Sequence, residues 1–223
     1  MEYTLLWAAL TAMALGWVGL RLWDDRVPDH ALDQVLLASL VGVGAGRLTA
    51  MIAQGVSPLT SPGEIILVRG GVSTGAASLS FLATLVWSNR SSPRGLDALA
   101  PAVLLALAGW HTGCVWRGAC LGTSSALPWA WALDGSAITR HPVELYAAAG
   151  LGLGAVVVSR LGWRPLLRSG SALALAGVIR LVTEPMRPSL GGGPVGWYYA
   201  AIAVGLIAVA LGPRLQQPAH PPT

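Results

Sequence analysis

A short run in the second half of the chain carries the side chains best suited to chemistry. Arg140, His141, Glu144 and Tyr146 lie within seven residues, and Pro142 between them suits the first turn of a helix. They supply a cation, a possible base, a carboxylate and a phenol, and the N-terminus of a helix adds a partial positive charge. The run therefore predicts a site that favours an anionic substrate.

Two histidines are candidates for a general base. His111 and His141 both fall near the same predicted membrane interface, where a neutral imidazole can accept a proton near neutral pH. A histidine at such an interface also commonly serves as a hydrogen-bonded structural residue. Both interpretations stay open for each histidine.

The two cysteines do not indicate a metal site. Cys114 and Cys120 lack the spacing of zinc ligands, and the sequence contains no HExxH motif and no paired cysteine and histidine motif. We interpret the cysteines as small apolar residues in or near a bilayer. A single disulfide on the outer face is the alternative. We expect neither a metal nor another cofactor.

Several ionisable residues lie inside apolar segments, where each costs about 3 kcal/mol at the centre of a bilayer. Arg47 follows small residues in the stretch VGVGAGRLTA, which lets a neighbouring helix approach closely. Arg180 and Glu184 are four residues apart and can pair on one helix face. That pair is either a functional group or a bridge that neutralises itself and locks a helix bundle.

Composition indicates the elements that must position these groups. Apolar residues make up 54% of the 223 residues and charged residues 11%, against about 25% charged in an ordinary soluble domain. These values exclude a soluble globular enzyme and a disordered chain. All fourteen basic residues are scattered arginines, which argues against a nucleic-acid partner. The sequence therefore predicts a polytopic membrane protein in a lipid bilayer.

Seven apolar stretches predict an all-α helical bundle with about seven transmembrane helices. We expect one integral-membrane domain over residues 1–212 and a disordered tail over residues 213–223. A further short stretch, Ile65–Val68, is interpreted as re-entrant or interfacial. The predicted spans are Tyr3–Trp23, Ala31–Ala53, Val72–Trp87, Leu96–Trp116, Pro142–Leu161, Ser171–Pro185 and Val195–Gly212.

The arginines predict the orientation of the bundle. Eight of them fall on one side and four on the other, which places the N-terminus outside and the C-terminus in the cytoplasm. The four on the outer side are Arg69, Arg117, Arg140 and Arg187. Each lies beside Gly, Pro, His or Trp rather than in a plain polar loop. Together with the two histidines, they favour a binding site on the outer face.

Six segments, taken in order, resemble the bacterial prolipoprotein diacylglyceryl transferase family. RHPVELY resembles its His-Pro-x-Gln-Leu-Tyr-Glu motif, GAGRLTA its second-span Gly-Ala-Arg-Leu-Gly stretch, and LVTEPMRPS its Val-Glu-Phe-x-Arg-x-Pro-Asp segment. The other three are PGEIILVRGGVS, LDALAPAVLLALAG and GCVWRGACLG. The resemblance covers most of the chain from Asp33 to Gly212, and it implies the same fold and orientation.

The resemblance implies transfer of a diacylglyceryl group from phosphatidylglycerol to the lipobox cysteine of a preprolipoprotein in the bacterial inner membrane. The thiol would attack the glycerol carbon and glycerol phosphate would leave, at a site toward the outer face. On the family's pattern and the residue chemistry, we expect His111, His141 and Arg187 to be catalytic. We expect the substrate to bind Arg47, Arg69, Arg140, Glu144 and Tyr146.

The sequence departs from the family pattern at several positions. The catalytic His-Gly-Gly at the start of the third span is replaced by residues from Ser73 to Gly75. The family's phosphate-binding arginine in Gly-Arg-x-Gly corresponds to His111, the motif glutamine to Glu144, and the motif's final glutamate to Ala147. His111 and Glu144 thus stand at altered positions.

These departures leave three hypotheses. The first is an active transferase with His111 or His141 as the base. The second is a related enzyme with another acceptor or lipid donor. The third is a non-catalytic lipid-binding or assembly protein of the same fold. Only the third predicts that alanine at both histidines leaves cellular function intact.

Overall fold

The computed structural model describes residues 4–23, 27–60, 63, 71–117, 120–132, 135–188 and 193–216. These residues are mostly helical, which confirms the all-α class. Their seven long helices are α1 (Thr4–Leu22), α2 (Ala31–Ala53), α3 (Thr74–Ser88), α4 (Pro93–Thr112), α6 (Val143–Arg160), α7 (Leu167–Thr183) and α8 (Val195–Leu211).

Shorter elements connect some of these helices. A single turn, α5 (Cys114–Arg117), follows α4, and 3₁₀ turns at Glu184–Met186 and Gly212–Gln216 follow α7 and α8. Two antiparallel strands, β1 (Trp131–Ala132) and β2 (Thr139–Arg140), precede α6. Residues 213–216 of the predicted disordered tail belong to the second of these 3₁₀ turns. Residues 217–223 lie outside the described ranges, so disorder there stays a prediction.

Three helical segments among the described residues are long and apolar enough to cross a membrane: Ala31–Ala53, Val143–Arg160 and Val195–Arg214. Trp7–Leu22 and Thr74–Ser88 are apolar but shorter. These helices support the membrane character that the composition predicts. The count of seven spans and the orientation stay predictions, and the segment Ile65–Val68 lies outside the described residues.

The chain divides into two compact units, Pro28–Leu96 and Met1–Val27 together with Asp97–Thr223. In the unit Pro28–Leu96, α2 packs against α3 at Gly46, where an added Cβ would lie 2.8 Å from the Cβ of Ala77. The predicted single domain over residues 1–212 stays a prediction.

The core of the larger unit lies between α4, α6 and α7. Asp97, which is 1% exposed, accepts hydrogen bonds from the backbone N–H and the hydroxyl of Ser169 at 2.8 and 2.7 Å. Asp97 therefore caps the first turn of α7. The buried core side chains are Ala100, Leu104, Ala108, Leu151, Ala155, Val158 and Ala172.

Candidate active site

Glu144 is the centre of a cluster of charged side chains in the larger unit. It is the second residue of α6, and it is 8% exposed. Its Oε2 lies 2.6 Å from Nδ1 of His111, its Oε1 accepts a hydrogen bond from Nη2 of Arg187, and Nη1 of Arg180 lies 3.6 Å from Oε2. One carboxylate thus faces three groups that can carry positive charge.

Glu184 is the second carboxylate of the cluster and is 5% exposed. Its Oε2 accepts a hydrogen bond from the Tyr198 hydroxyl at 3.0 Å, and it lies 3.6 Å from Nη1 of Arg187 and 4.0 Å from Nη2 of Arg180. The Tyr198 oxygen also lies 3.4 Å from Nη2 of Arg180, which donates to it. Two guanidinium groups and two carboxylates therefore balance in charge, as buried ions require.

The local sequence explains why three charged residues share one face. Arg180, Glu184 and Arg187 follow a spacing of four and three residues, which places them on one side of a helix. Pro185 has no backbone N–H to continue the α-helix, and the chain tightens there into the 3₁₀ turn Glu184–Met186. The predicted Arg180–Glu184 pair thus exists as one side of a larger cluster.

Gly193 borders the cluster in a way that a larger residue would disturb. Its φ of +63° lies in the left-handed region that favours glycine. An added Cβ would collide with Oε1 of Glu184. This glycine therefore has a steric role beside the carboxylate.

A loop that begins at a disulfide connects the start of α6 with the 3₁₀ turn Glu184–Met186. Cys114 and Cys120 are buried and form a disulfide, with 4.9 Å between their Cα atoms, so the interpretation as apolar free thiols is wrong. The backbone N–H of Glu144 donates to the carbonyl of Cys120 at 3.4 Å, and that of Thr123 donates to the carbonyl of Met186 at 2.8 Å. The loop therefore links α6 to the 3₁₀ turn.

A cavity of about 310 Å³ opens beside the cluster, which is within the range of small-ligand sites. Arg187 lines it with a side chain that is 31% exposed. Burial acts to lower the pKa of Arg187, but the carboxylates of Glu144 and Glu184 outweigh that effect and raise it, so the guanidinium stays charged. The lining residues are Cys120, Leu121, Val143, Glu144, Glu184, Arg187 and Pro188.

His141, Tyr146 and Arg140, which were also predicted to belong to the site, make contacts outside the charged cluster. Nδ1 of His141 lies 3.5 Å from the hydroxyl of Tyr146, which accepts a hydrogen bond from the indole of Trp129 at 2.8 Å. Arg140, on β2, donates to the carbonyl of Gly122 at 3.2 Å. These residues therefore border the loop that leads into α6.

Two predicted substrate-binding arginines lie elsewhere in the chain. Arg47 belongs to the unit Pro28–Leu96, where Nη1 donates to the carbonyl of Gly71 at 2.9 Å. Arg69 lies outside the described residues. Tyr198 is the cluster residue that the sequence analysis missed, because a tyrosine at the start of an apolar helix is also typical of a membrane interface.

Comparison with known proteins identifies the family. The family described as prolipoprotein diacylglyceryl transferase matches residues 2–214 of the chain. The chain belongs to this family. The resemblance stated from the sequence motifs is thereby confirmed.

Three relatives are named phosphatidylglycerol–prolipoprotein diacylglyceryl transferase. The chain is 30% identical to that of Chlamydia trachomatis, over 67% of this chain and 60% of the relative. It is 36% identical to that of an Azoarcus species, over 71% and 65%, and 31% identical to that of Aromatoleum aromaticum, over 81% and 76%. The match thus spans less than two thirds of the first two relatives.

Within the diacylglyceryl transferase family pattern, two departures of this chain contact each other. By the motif resemblance, His111 corresponds to an arginine of that pattern and Glu144 to a glutamine. Their side chains form the 2.6 Å contact at the centre of the cluster. The two altered positions therefore belong to one interaction. On this correspondence, the imidazole of His111 takes the place of an arginine, and the carboxylate of Glu144 takes the place of a glutamine amide.

Proposed function

We propose that this chain transfers a diacylglyceryl group from phosphatidylglycerol to the lipobox cysteine of a preprolipoprotein. The observation that carries the proposal is the charged cluster around Glu144, which presents Arg187 to a cavity in a member of this family. The names of the relatives supply the donor and the kind of acceptor. The site would act at the outer face of the bacterial inner membrane.

Arg187 is suited to hold the lipid phosphate. Its planar guanidinium can donate two parallel hydrogen bonds to a phosphate, and its exposed part faces the cavity. Glu144 and Glu184 both contact this guanidinium, so a bidentate contact with phosphate would involve an exchange of partners. Arg140 is the further cation of the larger unit that we propose for the lipid headgroup, and the substrate-binding roles of Arg47 and Arg69 stay predictions from the sequence.

Arg180 can compensate for that exchange. Its Nη1 is buried without a hydrogen bond to any described residue, 3.6 Å from Oε2 of Glu144. When Arg187 turns to the phosphate, a small movement lets Arg180 donate to Glu144. The carboxylate then keeps a cationic partner, which a buried charge needs.

The reaction balances without a cofactor. The thiol gives its proton to a histidine, His111 or His141, and the sulfur attacks the glycerol carbon that bears the phosphate oxygen. The carbon–oxygen bond breaks, and its electron pair leaves with glycerol phosphate. Negative charge grows on the phosphate during this step, where a fixed guanidinium stabilises it most. The proton then passes to solvent or to the released phosphate.

Mass spectrometry of a lipobox peptide tests the proposal. The purified protein is incubated with the peptide and phosphatidylglycerol vesicles, and the peptide mass is followed. We expect the diacylglyceryl thioether from the wild type and a rate about 100-fold lower from Arg187→Ala. Arg214→Ala, on the 3₁₀ turn Gly212–Gln216, is the matched control and should keep the wild-type rate.

Two results would contradict this function. A wild-type protein that is folded and binds the lipid but forms no thioether would favour another acceptor or a non-catalytic lipid-binding role. Equal rates for the wild type and Arg187→Ala would contradict the proposal that Arg187 binds the lipid phosphate.

A further inference from the structure

His111 contacts the carboxylate of Glu144, whereas His141 lies beside the hydroxyl of Tyr146, and this difference assigns different roles to the two histidines. We propose that His111 is the general base for the acceptor thiol and that Glu144 is the residue that positions it. This inference rests on the proposed transfer reaction and deepens it, because it assigns the proton acceptor.

The chemistry of the two groups determines which nitrogen of His111 carries the proton. A carboxylate that accepts hydrogen bonds from Arg187 has only lone pairs to offer to its neighbours. Nδ1 of His111, 2.6 Å from Oε2, must therefore be the N–H that donates. The lone pair of the neutral ring then lies on Nε2, which hydrogen-bonds no other residue in the described part of the chain. This nitrogen is available to accept a proton.

Glu144 is itself held firmly enough to orient the ring. Its backbone N–H donates to the carbonyl of Cys120, and its other oxygen accepts from Arg187. Both side chains of the pair are about nine-tenths buried, at 11% and 10% exposure. A base whose second nitrogen is fixed by a buried carboxylate is the arrangement that other enzymes use to activate hydroxyl and thiol nucleophiles.

The same carboxylate stabilises the charge that forms during the reaction. When the thiol proton reaches Nε2, His111 becomes an imidazolium that faces Glu144 on one side. The guanidinium groups of Arg180 and Arg187 also face this pair and repel that charge. Glu144 offsets the repulsion, and the phosphate that we propose for Arg187 would add a second anion nearby.

His141 has a different environment. Its Nδ1 lies 3.5 Å from the Tyr146 hydroxyl, and no described carboxylate contacts its ring. A phenol that already accepts a hydrogen bond from Trp129 does not stabilise an imidazolium as a carboxylate does. His141 therefore fits substrate positioning better than proton transfer.

The pH dependence of the variant rates tests this assignment. Thioether formation is measured for the wild type and His111→Ala at about pH 7 and about pH 9, on either side of the ordinary cysteine pKa of about 8.5. At the lower pH we expect His111→Ala to be slower by about 100-fold or more. At the higher pH the peptide thiol ionises without a base, so the defect should shrink about tenfold or more. A purely structural role predicts the same defect at both pH values.

Glu144→Gln tests the positioning role. This variant keeps the size of the side chain and removes its charge, so we expect a slower transfer. Because the positioning role of Glu144 requires His111, Glu144→Gln should slow the His111→Ala variant less than it slows the wild type. The exposed pair His30 and Asp33, 3.7 Å apart, gives matched controls: His30→Ala and Asp33→Asn should leave the rate unchanged.

The outcomes distinguish this inference from the proposed function. If the wild type forms no thioether, the proposed transfer reaction is wrong, and the assignment of His111 as its base is wrong too. If the wild type is active but the His111→Ala defect does not change with pH, the assignment alone is wrong. The same holds if His141→Ala shows the pH-dependent defect instead.

Discussion

At the residue scale, the site is a balanced set of charges rather than a patch of positive charge. Glu144 and Glu184 together face Arg180 and Arg187, and Tyr198 joins Glu184 to Arg180. Such a cluster is stable without substrate because each buried charge has a partner. In the proposed reaction, substrate binding would replace one of these contacts by another, which suits a headgroup that must be released afterwards.

Tyr198→Phe tests the contribution of the phenol. The variant keeps the ring but removes the hydroxyl that donates to Glu184 and accepts from Arg180. A buried carboxylate loses one partner, so we expect a loss of about 1 to 3 kcal/mol in the free energy of unfolding. Thermal unfolding in detergent measures the effect. Tyr199→Phe, at a neighbour that is 59% exposed, is the control, and equal stability of the two variants would contradict the role of Tyr198.

The sequence revealed some of these contacts and not others, for a physical reason. The spacing of Arg180, Glu184 and Arg187 already places them on one helix face. His111 and Glu144 are 33 residues apart, and their contact depends on how α4 and α6 pack. No local pattern encodes that packing, so the sequence suggested the residue types but not the pair.

At the element scale, the loop from Cys120 to Thr123 positions the two halves of the site. It bonds to Glu144 at the start of α6 and to Met186 in the 3₁₀ turn, one residue before Arg187. The Cys114–Cys120 disulfide fixes the beginning of this loop to the first residue of α5. The loop therefore couples the position of Arg187 to that of Glu144.

Replacement of both cysteines by serine tests this coupling. Without the disulfide the loop gains freedom, and we expect a loss of about 2 kcal/mol in stability together with slower thioether formation. A reductant should slow the wild type in the same way and leave the double variant unchanged. Wild-type activity that is insensitive to complete reduction would contradict a positioning role for the disulfide.

Most helices could be predicted because apolar stretches of sufficient length have few alternatives in a membrane protein. The predicted bounds of α2 agree with the structure, whereas α7 begins at Leu167, four residues before the predicted start. Its first turn contains the polar residues Arg168 and Ser169, which Asp97 and the carbonyl of Leu161 stabilise. Tertiary contacts of this kind, like the two-residue strands β1 and β2, leave no signal in hydropathy.

At the scale of the whole molecule, the larger unit places its site at one end of its helices. His111 lies near the end of α4 and Glu144 at the start of α6, while Arg187 follows the end of α7 and Tyr198 lies at the start of α8. Apolar side chains on the long helices are widely exposed, as lipid contact requires. A lipid headgroup at the membrane surface could therefore reach the cavity, and the predicted topology places this end outside.

The most direct test of the proposed diacylglyceryl transfer compares the amounts of its two products. Lipobox peptide and phosphatidylglycerol vesicles are incubated with the wild-type protein, and thioether and released glycerol phosphate are quantified together. Transfer to the thiol predicts one glycerol phosphate for every thioether formed, and neither product without the peptide. Release of glycerol phosphate in excess of thioether, or equally without the peptide, would contradict a diacylglyceryl transferase that uses the lipobox cysteine as its acceptor.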